Sequence, residues 1–179
     1  MTDILTTAPG SPLVIPTSDP RVQRAIDLVW READLLDRKQ YQAWNAVFDP
    51  DGHYVIPIDP EADEPDFAAT LNMVYDDARM RDMRVTRMTG GYAISAVDSA
   101  RTVRTLSRFV PLAVSDTEVR LRCAQALVAY KRGRHDLWAA DLEHRVVLSP
   151  DGPAGDRISL KVVRLVDSED VVPSAGFLL

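Results

Sequence analysis

The chain has 179 residues, of which 46% are hydrophobic and 27% are charged, and its formal net charge is −6. These values predict one soluble globular domain with a substantial core and exclude two domains of ordinary size. The acidic balance, with arginines interleaved among acids, excludes nucleic acid as the expected partner, and the lack of a long apolar run predicts that no segment enters a membrane.

The N-terminal residues predict a loosely held arm. Residues 1–19 contain three prolines and no sustained hydrophobic period, so we expect them to be ordered only where another surface holds them. Asp19 suits the cap of a helix, and Pro20 suits its first turn. We therefore predict a flexible arm over residues 1–19 and a single domain over residues 20–179.

Two helices joined by a tight corner are predicted next. Apolar residues recur at helical spacing from Val22 to Leu36, and a shorter repeat follows at Tyr41 and Trp44. The polar run between Leu36 and Tyr41 interrupts the stripe. Both helices are therefore expected to turn one apolar face toward a core.

The segment after these helices predicts a turn, a strand and a third helix. Residues 49–52 have strong turn chemistry, and residues 53–57 read as a short strand that Pro57 ends or confines to a sheet edge. From Phe67 to about Met83 there are few β-branched residues and the apolar residues repeat at helical spacing. A third helix is therefore predicted there.

Most of the remaining chain, after the Gly90-Gly91 pair, predicts β-strands. The segments with strand character are 101–112, 117–131, 138–148 and 158–166. In the last of them, Leu160 and Val162 alternate with Lys161, which predicts one apolar and one polar face. Successive strands separated by turns predict an antiparallel meander. The expected fold is α+β, with N-terminal helices packed on the concave face of a curved sheet, a cone that could enclose a pocket.

Residues that could bind a metal are scarce. A Rieske cluster needs two cysteines and two histidines, and the chain has one cysteine and three histidines, so it cannot hold one. His135, His144 and Asp141 would suffice in number for a mononuclear iron site. However, His144 and Asp141 project from opposite faces of a strand, and His135 is placed in the preceding turn. We interpret both histidines as surface residues and expect no cofactor and no metal in this chain.

The single cysteine, Cys123, is predicted to be an inert core residue. It lies mid-strand among apolar residues and cannot form an internal disulfide. One unpaired cysteine and the lack of a basic segment followed by an apolar leader favour the cytoplasm as the location.

Acid–base side chains leave an enzymatic alternative open. Asp37 ends the first helix, where a desolvated carboxylate at a pocket mouth could act as a base, and Tyr54 and Asp141 are the other candidates. The favoured interpretation is that Asp37 hydrogen-bonds backbone amides at the helix corner. The alternative function is a self-contained small-molecule isomerase or dehydratase that works in the cone.

Two groups of residues predict a subunit interface. Ala124, Ala126 and Val128 lie on the outer side of a strand, where small apolar residues suit contact with another chain better than contact with water. Arg104 and Arg108 are predicted to share a strand face, and arginines form bidentate pairs at interfaces. Ordinary exposed charge explains the two arginines equally well. We expect the chain to self-associate as a trimer.

Several motifs follow one another in a specific order along the chain. They are EADLLD at 32–37, followed by Tyr41 and Trp44, then DGHYVIP at 51–57, DD at 76–77, RVTR at 84–87, SARTVR at 99–104, RVVL at 145–148, ISLKVVRL at 158–165 and FLL at 177–179. Taken together, this order and spacing resembles the small (β) subunits of aromatic-ring-hydroxylating dioxygenases.

The resemblance implies a fold and a division of labour. Such subunits have a nuclear-transport-factor-like (cystatin-like) cone and assemble with a large α subunit into an α₃β₃ hexamer. The α subunit holds a Rieske [2Fe-2S] cluster and a mononuclear iron, and it adds both atoms of O₂ to an aromatic ring in aromatic hydrocarbon catabolism. By resemblance, the present chain is then a non-catalytic β subunit.

Overall fold

The computed structural model describes residues 5–6, 15–90, 100–170 and 176–179. The helices are α1 (Pro20–Asp37), α2 (Tyr41–Asn45) and α3 (Ala78–Thr89). The strands are β1 (Leu5–Thr6), β2 (Phe48–Pro57), β3 (Asn72–Asp76), β4 (Arg101–Val114), β5 (Glu118–Lys131), β6 (Arg134–Val147) and β7 (Arg157–Leu165). These strands form one seven-stranded sheet in the order β1-β4-β5-β6-β7-β2-β3.

The first helix forms as predicted. The Asp19 side chain accepts a hydrogen bond from the backbone N–H of Arg21, 2.9 Å away, and Pro20 occupies the first turn. The apolar stripe that runs from Val22 to Leu36 is buried against the sheet. Helix α1 therefore provides one wall of the main core.

The tight corner between α1 and α2 is confirmed, and it has a specific geometry. Lys39 has a φ of 57°, and its N–H donates to Leu36 O at 3.0 Å. The N–H of Gln40 donates to Leu35 O at 2.8 Å. This pair of bonds is a Schellman motif, which ends α1 sharply.

The turn predicted at residues 49–52 is wrong, because these residues lie inside β2. The register with β7 shifts between Phe48 and His53, so the extra residues form a bulge in a continuous strand. A side chain at Gly52 would lie 2.7 Å from Ile158 O, so only glycine allows β2 to approach β7 this closely. Strand β2 ends at Pro57 as predicted, but it lies between β7 and β3 rather than at the sheet edge.

The third helix predicted over Phe67 to about Met83 is also wrong. Asn72–Asp76 is strand β3, which pairs with β2, and α3 begins only at Ala78. The Asp77 side chain caps α3 by accepting from Met80 N at 2.8 Å. Pairing with the free edge of β2 overrides the weak helix propensity of this segment.

The predicted antiparallel meander is confirmed for β4 to β7, whereas β2 joins β7 in parallel. Strand β6 begins at Arg134, so His135 lies in the strand and not in the preceding turn as predicted. Register shifts near Ser107 and Pro111 bulge β4, and such bulges bend a sheet. The predicted fold is confirmed: helices pack on one face of a curved, mostly antiparallel sheet. We call that face the inner face and the opposite one the outer face.

The predicted arm falls largely outside the described residues. Within it, β1 pairs with β4 at Val114 and Ala113, so this short piece adds a strand to the sheet of its own chain. Residues 1–4 and 7–14 lie outside the described part, and the boundary at residue 20 stays a prediction.

Candidate functional site

A fully buried ion pair joins α1 to β7 on the inner face. Glu32 and Lys161 are 1% and 0% exposed, and Lys161 Nζ donates to Glu32 Oε1 at 2.8 Å. Lys161 Nζ also donates to the main-chain oxygen of Leu179 at 2.9 Å, and Trp44 Nε1 donates to Glu32 Oε1 at 2.5 Å. Both buried charges are thus paired and hydrogen-bonded, as burial of charge requires.

Burial shifts the pKa values of the charged and titratable groups in this cluster. Burial alone would raise the pKa of Glu32, but the Lys161 ammonium and the hydrogen bonds from Lys161 and Trp44 outweigh it and lower that pKa. Burial lowers the pKa of Lys161, against the opposing pull of Glu32. Burial also lowers the pKa of His144 to about 3, so its imidazole is neutral. Neither ring nitrogen of His144 has a hydrogen-bond partner among the described residues.

Two parts of this cluster contradict the sequence predictions. His144, predicted to lie at the surface, is 0% exposed. Lys161, predicted to lie on a polar face, points into the core, whereas Leu160 and Val162 pack on the outer face beneath Phe67. Since β7 is buried on both faces, alternation along it could not show which face is the inner one. The available signal was Glu32, a carboxylate on the apolar stripe of α1, which demands a buried cationic partner.

Asp37 ties the end of α1 to β4. Its Oδ2 accepts from the backbone N–H of Arg104 at 2.8 Å, and its Oδ1 accepts from Thr102 Oγ1 at 2.7 Å. The Arg104 guanidinium pairs with the same carboxylate and donates to the main-chain oxygen of Leu178. Asp37 thus hydrogen-bonds β4, not the amides of the helix corner, and the Arg104 side chain is 1% exposed.

The three acid–base candidates do not converge. Tyr54 lies on the inner face, where its hydroxyl donates to Leu179 O at 2.9 Å and accepts from Leu179 N at 3.2 Å. Burial raises the pKa of Tyr54, so its hydroxyl stays protonated. Asp141 lies on the outer face, 60% exposed and paired with Arg108. Asp37 is already bound to β4, so the structure does not bring the three side chains to one site.

Arg104 and Arg108 do not share a face, contrary to the prediction. Arg108 has a φ of 53°, and the register of β4 with β5 shifts between Ser107 and Val110. This bulge reverses the alternation of side chains. Arg104 therefore points inward, and Arg108 points outward to Asp141.

One half of the outer face is open and carries an uncovered apolar row. Ala124, Ala126 and Val128 lie on the outer side of β5. Val128 is paired across the sheet with Val103 of β4 and with Leu137 of β6. Val103, Val128 and Leu137 are 67%, 42% and 72% exposed. We call these three residues the apolar row.

The other half of the outer face is covered by the loop at residues 58–71. Phe67 and Ala62 of this loop pack on outward residues of β2 and β7 to form a second, smaller core. Arg164 of β7 holds the loop by donating to Pro60 O at 3.1 Å and to Ala62 O at 3.0 Å. Arg145 of β6 adds an ion pair with Glu64.

The residues able to bind metal are dispersed. His53 stacks on Tyr75, and His135 packs against Tyr130, both on the outer face and away from His144. The described ranges contain no group of three or more His, Cys, Asp or Glu side chains placed to hold a metal ion.

Cys123 is 1% exposed, and burial raises its pKa to about 12, as expected for a core thiol. Among the described helices, none has the length and hydrophobicity to cross a membrane.

Comparison with known proteins places this architecture in a family. The model of the family described as ring hydroxylating beta subunit matches residues 31–172. The small oxygenase component of the p-cumate 2,3-dioxygenase system of Pseudomonas putida is 30% identical over 124 residues, which cover 67% of each chain.

Two solved structures support the fold. The beta subunit of benzoate 1,2-dioxygenase from Burkholderia mallei superimposes with a TM-score of 0.69 at 18% identity, over 92% of this chain and all of the other. A nuclear-transport-factor-like protein with a cystatin-like fold from Novosphingobium aromaticivorans superimposes with a TM-score of 0.58 at 14% identity, over 82% of each chain. Since the family model spans most of the sequence, the chain belongs to the family of ring-hydroxylating dioxygenase beta subunits.

Proposed function

We propose that this chain is the non-catalytic β subunit of a hexameric α₃β₃ oxygenase that dihydroxylates an aromatic ring. In this proposal a large α subunit holds the Rieske [2Fe-2S] cluster and the mononuclear iron. The side chains of this chain that could coordinate a metal fit neither group. One cysteine cannot supply a Rieske site, and the three histidines lie apart. A division of labour with a metal-bearing partner accounts for that composition.

The apolar row is the observation that carries the proposal. Val103, Val128 and Leu137 are directly paired neighbours on three strands, so their exposed side chains form one continuous patch. Ala126 extends the patch along β5. Exposed apolar residues that lie next to one another are a common feature of surfaces that bind another chain.

A trimer of this chain suits such a patch. In a ring of three copies each interface joins two different patches, so the apolar row of one copy packs on another surface of the next. Ala124 and Ala126 permit close approach of backbone, and Arg108 lies at the rim, where a charge contributes little to affinity. Arg104 is bound within its own chain and is left out of this interface.

The remaining predicted properties follow from the same assignment. Asp37, Tyr54 and Asp141 are proposed to have no catalytic role, because each is hydrogen-bonded or ion-paired within the chain and they face different regions. The cytoplasm is the proposed location, where the buried thiol of Cys123 stays reduced.

Affinity purification of the tagged full-length chain from its host tests this function. The expected result is co-purification of a large subunit in equal proportion, with the visible absorbance of an iron–sulfur cluster. Recovery of the chain without a metal-bearing partner, together with isomerase or dehydratase activity of the chain alone, would contradict the proposal.

A further inference from the structure

A cavity of about 240 Å³ lies on the inner side of the sheet, between β3 and the C-terminal residues 177–179. Its walls are mainly apolar and include Val74 of β3, Trp138 of β6, Leu165 of β7 and Phe177. An apolar cavity of about 150 Å³ is large enough to bind benzene. The present cavity therefore accommodates one aromatic ring with a small substituent, and it is smaller than the pockets that hold drug-sized ligands.

The walls suit a flat ring. Trp138 and Phe177 meet edge to face, with ring centroids 5.6 Å apart and an interplanar angle of 86°. Such an arrangement presents both a ring face and a ring edge, and a third aromatic ring packs well against either.

The polar groups of the cavity limit the ligand further. Arg84 lines it, and its guanidinium donates through Nε and Nη2 to the buried carboxylate of Asp76, with Nη2 3.0 Å from Oδ1. The pair with Asp76 uses Nε and Nη2, so Nη1 is the guanidinium nitrogen that this pair does not use. Because Asp76 already balances the positive charge, the cavity offers a hydrogen-bond donor without a net charge.

The side chains that line the cavity suit a binding site and not a catalytic one. Tyr54 lines it as well, but its hydroxyl both donates to and accepts from Leu179. Asp37 and Asp141 are not among the described lining residues. The described lining residues thus provide a donor and an apolar wall, and none of their side chains is an available base.

We propose that this cavity binds a neutral, single-ring aromatic molecule with one oxygen acceptor, the ring packing on Trp138 and Phe177 and the oxygen accepting from Arg84. The site is built from this chain alone, so its occupancy does not depend on assembly with an α subunit. It gives the β subunit a way to sense aromatic compounds directly.

Ligand-observed NMR on the full-length chain, with 4-methylphenol as the probe, tests the proposal. We expect saturable binding with a Kd of about 0.1–1 mM, a range suited to so small a ligand. Toluene, which lacks the acceptor oxygen, should bind several-fold more weakly. Val74→Phe, which fills the cavity, should weaken 4-methylphenol binding at least about tenfold.

The matched control is Val166→Phe, the same substitution at a residue that is 75% exposed and belongs neither to the described lining of the cavity nor to the apolar row, and it should leave binding unchanged. If Val74→Phe does not fold, as judged by circular dichroism, Met73→Phe fills the same cavity from the neighbouring position of β3. A wild-type signal that does not saturate would overturn the proposal. So would a folded filling variant that binds as tightly as the control.

Discussion

The two faces of the sheet treat charge and apolar surface in opposite ways. On the inner face Lys161 and Glu32 are fully buried, yet each charge is paired and hydrogen-bonded within the chain. On the outer face Arg108 and Asp141 form an ion pair of which both members are more than half exposed. Beside that pair, no described segment of the chain covers the apolar row. The described residues thus complete the inner face but leave this half of the outer face open.

The inner face holds the fold together, whereas the open half of the outer face is the surface that we propose to serve assembly. The loop at residues 58–71 covers the outward apolar residues of β2 and β7, because Phe67 packs directly on them. No described segment does the same for Val103 or Leu137, which stay more than half exposed. Differences in the effect of mutation on the two faces should therefore be large.

The largest expected effect comes from breaking the buried ion pair. Lys161→Met leaves the carboxyl group of Glu32 in the core without its cationic partner, and loss of one member of a buried pair costs about 3–5 kcal/mol. We expect the free energy of unfolding, measured by urea denaturation at fixed protein concentration, to fall by that amount. Removing both charges in Lys161→Met with Glu32→Gln should recover part of the loss. A fall in the free energy of unfolding of less than about 1 kcal/mol for Lys161→Met would show that the ion pair is accessible to solvent.

An intermediate effect is expected from pH through His144. The folded chain keeps this imidazole neutral down to about pH 3, whereas the unfolded chain binds a proton near the ordinary pKa of 6.5. The free energy of unfolding that the neutral imidazole contributes is fully present above pH 6.5. It is lost as the pH falls below that value, by about 1.4 kcal/mol per pH unit once the imidazole of the unfolded chain is protonated. Glu32, which faces His144, has a pKa lowered from 4.5, so it acts in the same direction but at lower pH.

Urea denaturation at pH 5, 6 and 7 measures this dependence. The stability of His144→Leu should fall less steeply between pH 6 and pH 5 than that of the wild type, by about 1 kcal/mol per pH unit. His135→Gln, at an exposed histidine of the same strand, is the control and should keep the wild-type slope. Equal slopes for the wild type and His144→Leu would contradict the assignment of a neutral, buried imidazole.

The smallest effect is expected at the exposed ion pair. Arg108→Met should change the free energy of unfolding by less than about 0.5 kcal/mol, because solvent and salt screen a pair that is mostly exposed. The measurement is the same denaturation, repeated at low and high salt at one protein concentration. A fall of several kcal/mol in the free energy of unfolding would mean that Arg108 is desolvated and stabilises the fold.

The sequence was most informative where one face of an element is buried and the other exposed. The stripe of α1 and the alternation in β5 led directly to the buried residues of both. At β7, which is covered on both sides, the alternation predicts a polar face for Lys161, and that prediction is wrong. The sequence also failed at β3, where pairing with β2 decides the structure, and at Arg108, where a bulge invisible in the sequence turns the side chain outward.

Sedimentation velocity of the isolated chain at micromolar concentration tests most directly whether the open half of the outer face is an assembly surface. The wild type should sediment with the mass of three chains, and Leu137→Arg, which places a charge in the apolar row, should shift it toward the mass of one. Leu71→Arg is the matched control, since Leu71 is 81% exposed but lies away from the row, and it should remain trimeric. A wild type that sediments as a monomer, or a Leu137→Arg variant as fully assembled as Leu71→Arg, would contradict the account.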